Sequence, residues 1–132
     1  MTEQSTRVKG IRGDPQAPNV YQFSALAVVR DAIPYTEERV GEFAHGIIKG
    51  LHLTALQKSS FRFHPSGMTI VFILSQSHLA IHTWPEYRSV HIDLVSCVPL
   101  RKAEVLACFR EVFRRFGIER FIFKTERMTT GI

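Results

Sequence analysis

The stretch "SQSHLAIHTWPEYRSVHIDLVSC" (residues 75–97) predicts two antiparallel strands joined by a short turn at "PEYR" (residues 85–88). The second strand alternates between two sets of side chains, namely Val90, Ile92 and Leu94 on one face and His91, Asp93, Val95 and Cys97 on the other. A four-residue turn pairs His82 with His91 and Gln76 with Cys97. This register sets a thiol beside the Gln76–Ser77 peptide bond.

Outside this hairpin, the chain of 132 residues reads as one domain over residues 21–132, after a flexible polar extension over residues 1–20. A strand is predicted over Tyr21–Val29, and Thr36 is predicted as the N-cap of an amphipathic helix that ends near Gly50. Further extended segments are predicted over Leu53–Phe63, Thr69–Ser75, His78–Thr83, Ser89–Cys97 and Arg120–Phe123, the last followed by a polar tail.

A second amphipathic helix follows Pro99 and ends before Gly117. Two helices that are apolar along one stripe need a sheet to cover, which predicts an α+β two-layer sandwich with both helices on one face of a mainly antiparallel sheet. The other face, which includes His91 and Cys97, is too apolar to be left to solvent. We therefore expect a homodimer that packs sheet to sheet, in an αββα arrangement.

The composition narrows the classes of partner. The formal net charge is +5, but the basic residues of 101–124 are typical of a solvated helix face, and no nucleic-acid-binding motif accompanies them. No stretch is as long and apolar as a transmembrane helix, and the N-terminus lacks the apolar core of a signal peptide. We expect a cytoplasmic protein with two free thiols and no membrane or nucleic-acid partner.

Two common kinds of reaction site fit the hairpin poorly. His78 and His82 lie four residues apart in a strand, about 13 Å, which is too far for both to bind one metal ion. No Gly-x-Ser-x-Gly motif surrounds Ser77, as a serine hydrolase of that type requires. The sequence therefore predicts neither a metal site nor such a hydrolase here.

The motif "SHLAIHTWPEY" resembles the hallmark of the small prokaryotic S-adenosylmethionine decarboxylases, proenzymes that cut their own backbone. The resemblance extends forward through "IDLVSC" and back through "FRFHPSGMT". It implies a cut between Gln76 and Ser77, with Ser77 Oγ attacking the preceding carbonyl. Elimination and hydrolysis would then leave a pyruvoyl cofactor made from Ser77, with no metal required.

The same resemblance assigns roles to other residues. His82 would help to remove the Ser77 α-proton, and Thr69, at a position that is usually serine, would steady the intermediate. The pyruvoyl ketone would form a Schiff base with the substrate amine and draw electrons as carbon dioxide leaves. Cys97 would then return a proton to the substrate.

Two further residues match substrate-binding positions. Phe63 would stack on adenine, or else it packs in the core. Glu86 would accept hydrogen bonds from ribose hydroxyls, or else it is an exposed turn residue. Together they favour S-adenosylmethionine as the substrate, which would supply the aminopropyl donor for spermidine synthesis.

The chain also departs from the family pattern. Gln76 replaces a glutamate, and Leu26 stands where an acidic residue is common. The other departures cluster near the turn and the cysteine, at Arg88, Ser89, His91 and Val98. They leave two alternatives open: a pyruvoyl-dependent decarboxylase of ornithine or arginine, and an unprocessed paralogue that acts as a partner or regulator.

Overall fold

The computed structural model describes residues 18–30 and 35–130 of the chain. In chain order, the elements are β1 (Asn19–Val29), α1 (Glu37–Gly50), β2 (Ala55–Arg62), β3 (Met68–Leu74), β4 (Ser77–Trp84), β5 (Ser89–Ser96), α2 (Lys102–Arg115) and β6 (Ile118–Thr129). The strands form one antiparallel sheet in the order β2-β3-β4-β5-β1-β6. The predicted α+β class is confirmed.

Local chemistry explains where α1 begins and which side it buries. Thr36 Oγ1 accepts a hydrogen bond from the Arg39 backbone N–H at 3.0 Å, and Glu37 and Glu38 occupy the first turn, where the helix dipole favours acidic residues. The helix buries one stripe of side chains at helical spacing, formed by Val40, Phe43, Ala44, Ile47 and Ile48.

Helix α2 packs beside α1 on the same face of the sheet. The rings of Phe43 in α1 and Phe113 in α2 stack with centroids 5.8 Å apart, while Phe109 meets Phe123 of β6 edge-on at 5.6 Å. Gly117 follows the helix with a φ of +71°, the left-handed conformation that glycine adopts most easily. Both helices therefore close one apolar core against one side of the sheet.

The hairpin has the register that its turn length predicts. Ser77 pairs with Ser96 and His82 pairs with His91. The turn is a single turn of 3-10 helix over Pro85–Tyr87, and Arg88 leaves it in the left-handed conformation with a φ of +50°. His82, alternate residues of β4 such as His78, and the residues that pair with them across the sheet have side chains on the face away from the helices, which we call the open face.

The ends of the chain differ from the prediction. Strand β6 runs to Thr129 instead of ending at Phe123, so the predicted polar tail is wrong: these residues pair with β1 as far as Asn19. Side chains from Lys124 to Arg127 are exposed, so no apolar alternation marks this strand, which backbone hydrogen bonds hold at the sheet edge. Strand β1 accordingly starts inside the predicted extension, and residues 1–17 lie outside the described part of the chain.

Across the described residues, no helix combines the length and the apolar character that crossing a membrane requires.

Candidate active site

The Gln76–Ser77 peptide bond lies at a tight turn between β3 and β4. Leu74 pairs directly with Ser77, so only Ser75 and Gln76 connect the two strands. Gln76 has a φ of +59°, a left-handed conformation that is costly for a residue with a side chain. Backbone strain of this kind is often found at functional sites, and here it falls on the residue whose carbonyl precedes Ser77.

Ser96, the last residue of β5, and Cys97, which follows it, bind the two sides of this peptide bond. The Cys97 backbone N–H donates to the Gln76 carbonyl oxygen at 2.9 Å, which confirms the predicted pairing of these residues. Ser77 Oγ donates to Ser96 Oγ at 3.1 Å, and Ser96 Oγ in turn donates to the Val98 carbonyl oxygen at 2.7 Å. The carbonyl thus has a polarising donor, and the hydroxyl is fixed by a buried serine.

Ser96 is the functional candidate that the sequence reasoning missed. It is fully buried, and its Oγ also accepts the Val98 N–H at 2.9 Å. The hairpin register already pairs Ser77 with Ser96, so the turn length contained the signal. In the sequence, Ser96 is a small polar residue at the end of an otherwise apolar strand face, and this pattern alone does not indicate a function.

A second polar group lies on the open face, centred on His82. Its Nδ1 lies 2.8 Å from Thr69 Oγ1, and its ring stacks on that of His91 with centroids 5.8 Å apart. Burial lowers the pKa of His82, the positive charge that His91 can carry lowers it further, and Asp93 acts in the opposite direction. A half-buried imidazole with a lowered pKa is suited to accept a proton.

The two residues matched to substrate binding lie at the turn end of the hairpin. Glu86 Oε1 accepts a hydrogen bond from Ser66 Oγ at 2.8 Å, which joins the β4–β5 turn to the loop between β2 and β3. Phe63, in that loop, is 49% exposed and meets Phe61 edge-on at 5.1 Å. An aromatic ring that open is not packed in the core of this chain.

One chain therefore keeps the predicted site residues in two separate groups. Ser77 and Cys97 lie at one end of β4 and β5. Thr69 and His82 lie towards the other end, on the side of Phe63 and Glu86. Ser77 and His82 are five residues apart in one strand, which puts them on opposite faces and roughly 16 Å apart. They cannot exchange a proton directly within this chain.

The comparisons with known proteins bear on the whole domain. The family profile described as S-adenosylmethionine decarboxylase matches residues 26–125. The chain belongs to this family. The resemblance read from "SHLAIHTWPEY" is confirmed at the level of the family.

Individual relatives of the S-adenosylmethionine decarboxylase family align over shorter stretches. The S-adenosylmethionine decarboxylase proenzyme of Thermoplasma volcanium is 39% identical over 62 residues, which cover 47% of this chain and 48% of that protein. The proenzyme of Archaeoglobus fulgidus is 31% identical over 87 residues, covering 65% of this chain and 78% of that one. With several relatives, the alignment spans only about half of their length.

A solved structure extends the likeness to the fold. The crystal structure of the adenosylmethionine decarboxylase from Aquifex aeolicus VF5 superposes with a TM-score of 0.66 and 23% sequence identity. The superposition covers 83% of this chain and 89% of that one. The two-layer architecture is thus shared with a family member across most of both chains.

Proposed function

We propose that the chain is a self-processing, pyruvoyl-dependent decarboxylase whose substrate is S-adenosylmethionine. One observation carries the proposal: the Gln76–Ser77 peptide bond sits in a strained two-residue turn, with its carbonyl held by the Cys97 N–H. Membership of the family gives this geometry its chemical meaning. The product would supply aminopropyl groups for spermidine synthesis, and a cytoplasmic location stays a prediction.

The first step is an exchange of an amide for an ester. Ser77 Oγ adds to the Gln76 carbonyl carbon, and the bond to the Ser77 nitrogen breaks, leaving a free amine at residue 77. The Cys97 N–H, already bonded to that carbonyl oxygen at 2.9 Å, stabilises the negative charge that develops on it. The left-handed conformation of Gln76 favours the step because opening the turn relieves strain.

The second step releases the N-terminal piece. A base removes the Ser77 α-proton, and Gln76 leaves as a carboxylate. Water then replaces the nitrogen of the resulting dehydroalanine as ammonia, which leaves a pyruvoyl group at residue 77. We assign the base to His82, whose lowered pKa keeps it uncharged at neutral pH, and Thr69 holds its ring in place.

Because His82 cannot reach Ser77 in its own chain, we propose that a second copy supplies it. Two sheets that pack open face to open face around a two-fold axis, with strands in opposite directions, bring the Gln76–Ser77 end of β4 in one copy to the His82 end of the other. His82 would then approach the Ser77 backbone, which carries the α-proton, from the side opposite to the Ser77 hydroxyl. Such a site combines Ser77 and Cys97 of one protomer with Thr69 and His82 of its partner.

The open face has the surface for such an interface. It exposes large apolar side chains on five different strands, namely Phe61, Ile73, Trp84, Leu26 and Ile122, each at least 42% exposed. Stable interfaces typically bury about 1,600 Å² in total with an apolar centre, and burying these side chains is favourable. The predicted sheet-to-sheet homodimer is therefore part of the proposal.

The same packing would complete the substrate pocket. Phe63 and Glu86 lie on the His82 end of a protomer, so they would face the pyruvoyl group of the partner. An exposed ring suits stacking on adenine, and the Glu86 carboxylate suits the two hydroxyls of a ribose. In the assembled site, the pyruvoyl group would supply an electron sink for loss of carbon dioxide, and the Cys97 thiol of its own chain would return a proton.

The alternative substrate class, ornithine or arginine, has one observation in its favour. Leu26, at the position where an acidic residue is common in the family, is 47% exposed on the open face and pairs with His91. An apolar residue there changes the charge that faces a substrate. Release of carbon dioxide from S-adenosylmethionine, ornithine and arginine, measured side by side, separates the two classes.

The chemistry itself is tested by intact mass under denaturing conditions on freshly purified protein. We expect two pieces, residues 1–76 and residues 77–132, the second beginning with a pyruvoyl group. The Ser77→Ala variant is the matched control and stays in one piece. A wild-type chain that remains whole after long incubation supports the unprocessed paralogue, and Gln76→Glu then shows whether the missing carboxylate is the cause.

A further inference from the structure

A row of neighbouring side chains crosses the open face from one sheet edge to the other. Each member pairs with the next, and in sheet order the row is Phe61, Thr69, His82, His91, Leu26 and Ile122. The two central members are imidazoles on adjacent strands. Nothing in the processing steps above uses the second of them.

The two rings are fixed from opposite sides. His91 Nε2 lies 2.8 Å from Ser24 Oγ on β1, and His82 Nδ1 lies 2.8 Å from Thr69 Oγ1 on β3. Between these anchors, the rings stack with centroids 5.8 Å apart and planes inclined by 24°. The His82 ring thus lies between Thr69 on β3 and the His91 ring on β5.

The charged groups near His82 and His91 include few that would stabilise a positive charge on both rings. Asp93, two residues along β5 on the same face, is the nearby carboxylate, and its Oδ1 already accepts a hydrogen bond from Gln22 at 2.9 Å. The neighbours on β3 and β1 that bond the rings, Thr69 and Ser24, are uncharged.

Charged groups farther along the same face do not change this. Arg120, Lys124 and Glu126 of β6 lie one strand beyond β1, opposite Val28, Ser24 and Gln22, and bring two positive charges and one negative charge. His78 lies on the same face of β4, about 13 Å from His82. A positive charge on His91 therefore disfavours a proton on His82, and the one nearby carboxylate acts against this effect.

We propose that His91 is a positioning residue for His82: stacked on its ring and anchored by Ser24, it keeps that imidazole turned towards Thr69 and free to accept a proton. The use made of that proton acceptor rests on the function proposed above. The arrangement of the two rings does not.

The direct test is an NMR titration of the His82 ring in the uncut Ser77→Ala chain. His91→Gln keeps a polar side chain at this position but cannot carry a charge, so the pKa of His82 should move upward, towards its ordinary value. His78→Gln is the matched control: it removes an imidazole from the same face and strand, and it should leave the titration of His82 unchanged. Should His91→Gln fail to fold, His91→Asn serves the same purpose.

Ring orientation gives a second readout. In the Ser77→Ala chain, the bond between Nδ1 of His82 and Thr69 should fix one tautomer of the neutral ring, visible in its nitrogen chemical shifts. His91→Gln should shift these values towards a mixture of tautomers. An unchanged titration together with unchanged nitrogen shifts overturns the proposal.

The rate of self-cleavage at different pH values connects the proposal to function. In chains with intact Ser77, His91→Gln should slow the cut more at pH 6 than at pH 8, because a raised pKa of His82 leaves more of that base protonated at the lower pH. A uniform loss at both pH values, with the titration and the nitrogen shifts of His82 unchanged, indicates a merely structural role and contradicts the proposal. If the wild-type chain is never cut, the proposed function fails, whereas the NMR result still decides the role of His91.

Discussion

The two faces of the sheet are built for different purposes. On the face that the helices cover, strand residues such as Ile70, Leu79 and Ile81 are fully buried. On the open face, the neighbouring positions of the same strands hold Thr69, His82 and other half-buried polar groups beside exposed apolar side chains. The first face is complete within one chain. The second holds polar pairs, such as Thr69 with His82 and Ser24 with His91, and is left uncovered within a single chain.

This difference shows how one strand can serve stability and chemistry at once. Side chains alternate along a strand, so each residue added to the core brings a neighbour to the open face. The chain uses the first set to fix the sheet rigidly. On the second it holds the imidazoles of His82 and His91 and the hydroxyls that bond them.

The largest expected effect is on self-cleavage, which the proposed packing of two open faces makes dependent on a second copy. Ser77→Ala and His82→Ala chains should each remain uncut when produced alone. Produced together, they should form mixed dimers in which the Ser77→Ala chain lends its His82 to the other. About half of the His82→Ala chains should then be cut if the chains pair at random.

Intact mass with differently tagged chains measures this complementation, and two co-produced Ser77→Ala chains are the control. Cutting of His82→Ala chains made alone would show that His82 is not the required base. No cutting of any mixed sample, with mixed dimers demonstrated by tag capture, would contradict the shared site.

Two isoleucines on β3 allow the contributions of the two faces to the free energy of unfolding to be compared. Ile70 is fully buried under the helices, and Ile73 is 47% exposed on the open face. Ile70→Ala should lower the free energy of unfolding by about 2–5 kcal/mol, because it removes buried methyl groups and leaves a cavity. Ile73→Ala should change monomer stability by less than about 1 kcal/mol.

Chemical denaturation at low concentration measures the first effect. Sedimentation measures dimer formation, which Ile73→Ala should weaken. Ile70→Ala should have no effect on dimer formation beyond its effect on folding. An equal loss of folding stability for both variants would mean that the open face is not a separate surface.

The helix layer should respond to a single added methyl group. A Cβ at Gly50, the last residue of α1, would lie 2.7 Å from Cys108 Sγ of α2. Gly50→Ala should therefore destabilise the chain by about 1 kcal/mol, because the clash exceeds the gain in helix propensity. In a Cys108→Ala background the sign should reverse, and the same change should stabilise by up to about 1 kcal/mol. Denaturation of the four chains of this cycle tests both signs.

The smallest expected effect is a difference between the open face and the helix layer in how their contributions to folding stability depend on pH. On the open face, burial lowers the pKa of His82 from its ordinary 6.5, and the charge on His91 adds to this. As the pH falls, the His82 imidazole is therefore protonated in the unfolded chain before it is protonated in the folded chain. The contribution to stability is therefore present above pH 6.5 and is lost as the pH falls through the lowered value.

In the helix layer the sign is opposite. Burial raises the pKa of the Cys108 thiol from its ordinary 9.0, against an opposing effect of Arg115, so this contribution is present below that value and is lost as the pH rises through the raised one. Unfolding free energies across the pH range, in the Ser77→Ala background, should show a flatter acid side for His82→Gln and a flatter alkaline side for Cys108→Ala. A loss of the acid slope with Cys108→Ala would contradict the assignment.

The sequence predicts the parts of the fold that local patterns determine. The four-residue turn at "PEYR" fixes the hairpin register, and apolar spacing fixes the buried stripes of α1 and α2. The outer half of β6 was not predicted, because its side chains are exposed and show no apolar alternation. Backbone hydrogen bonds to β1 hold this edge strand instead.

The site was predicted as a set of residues and not as an arrangement. The motif singles out Ser77, His82 and Cys97, and the register places Cys97 beside Gln76 as expected. The gap between Ser77 and His82 follows from simple strand geometry, yet a motif written as a line of letters suggests that its members meet. In our proposal they meet across a second copy of the chain, and no pattern within one strand describes that surface.

The order of the strands has a further consequence if the chain cuts itself at Gln76. The piece with β1, α1, β2 and β3 and the piece with β4, β5, α2 and β6 are interleaved, because β1 lies between β5 and β6 and β3 pairs with β4. The mature protein would then be a two-chain complex that neither piece can leave without breaking the sheet. Once unfolded, it would have to refold by a second-order reaction, although the precursor folded as a single molecule.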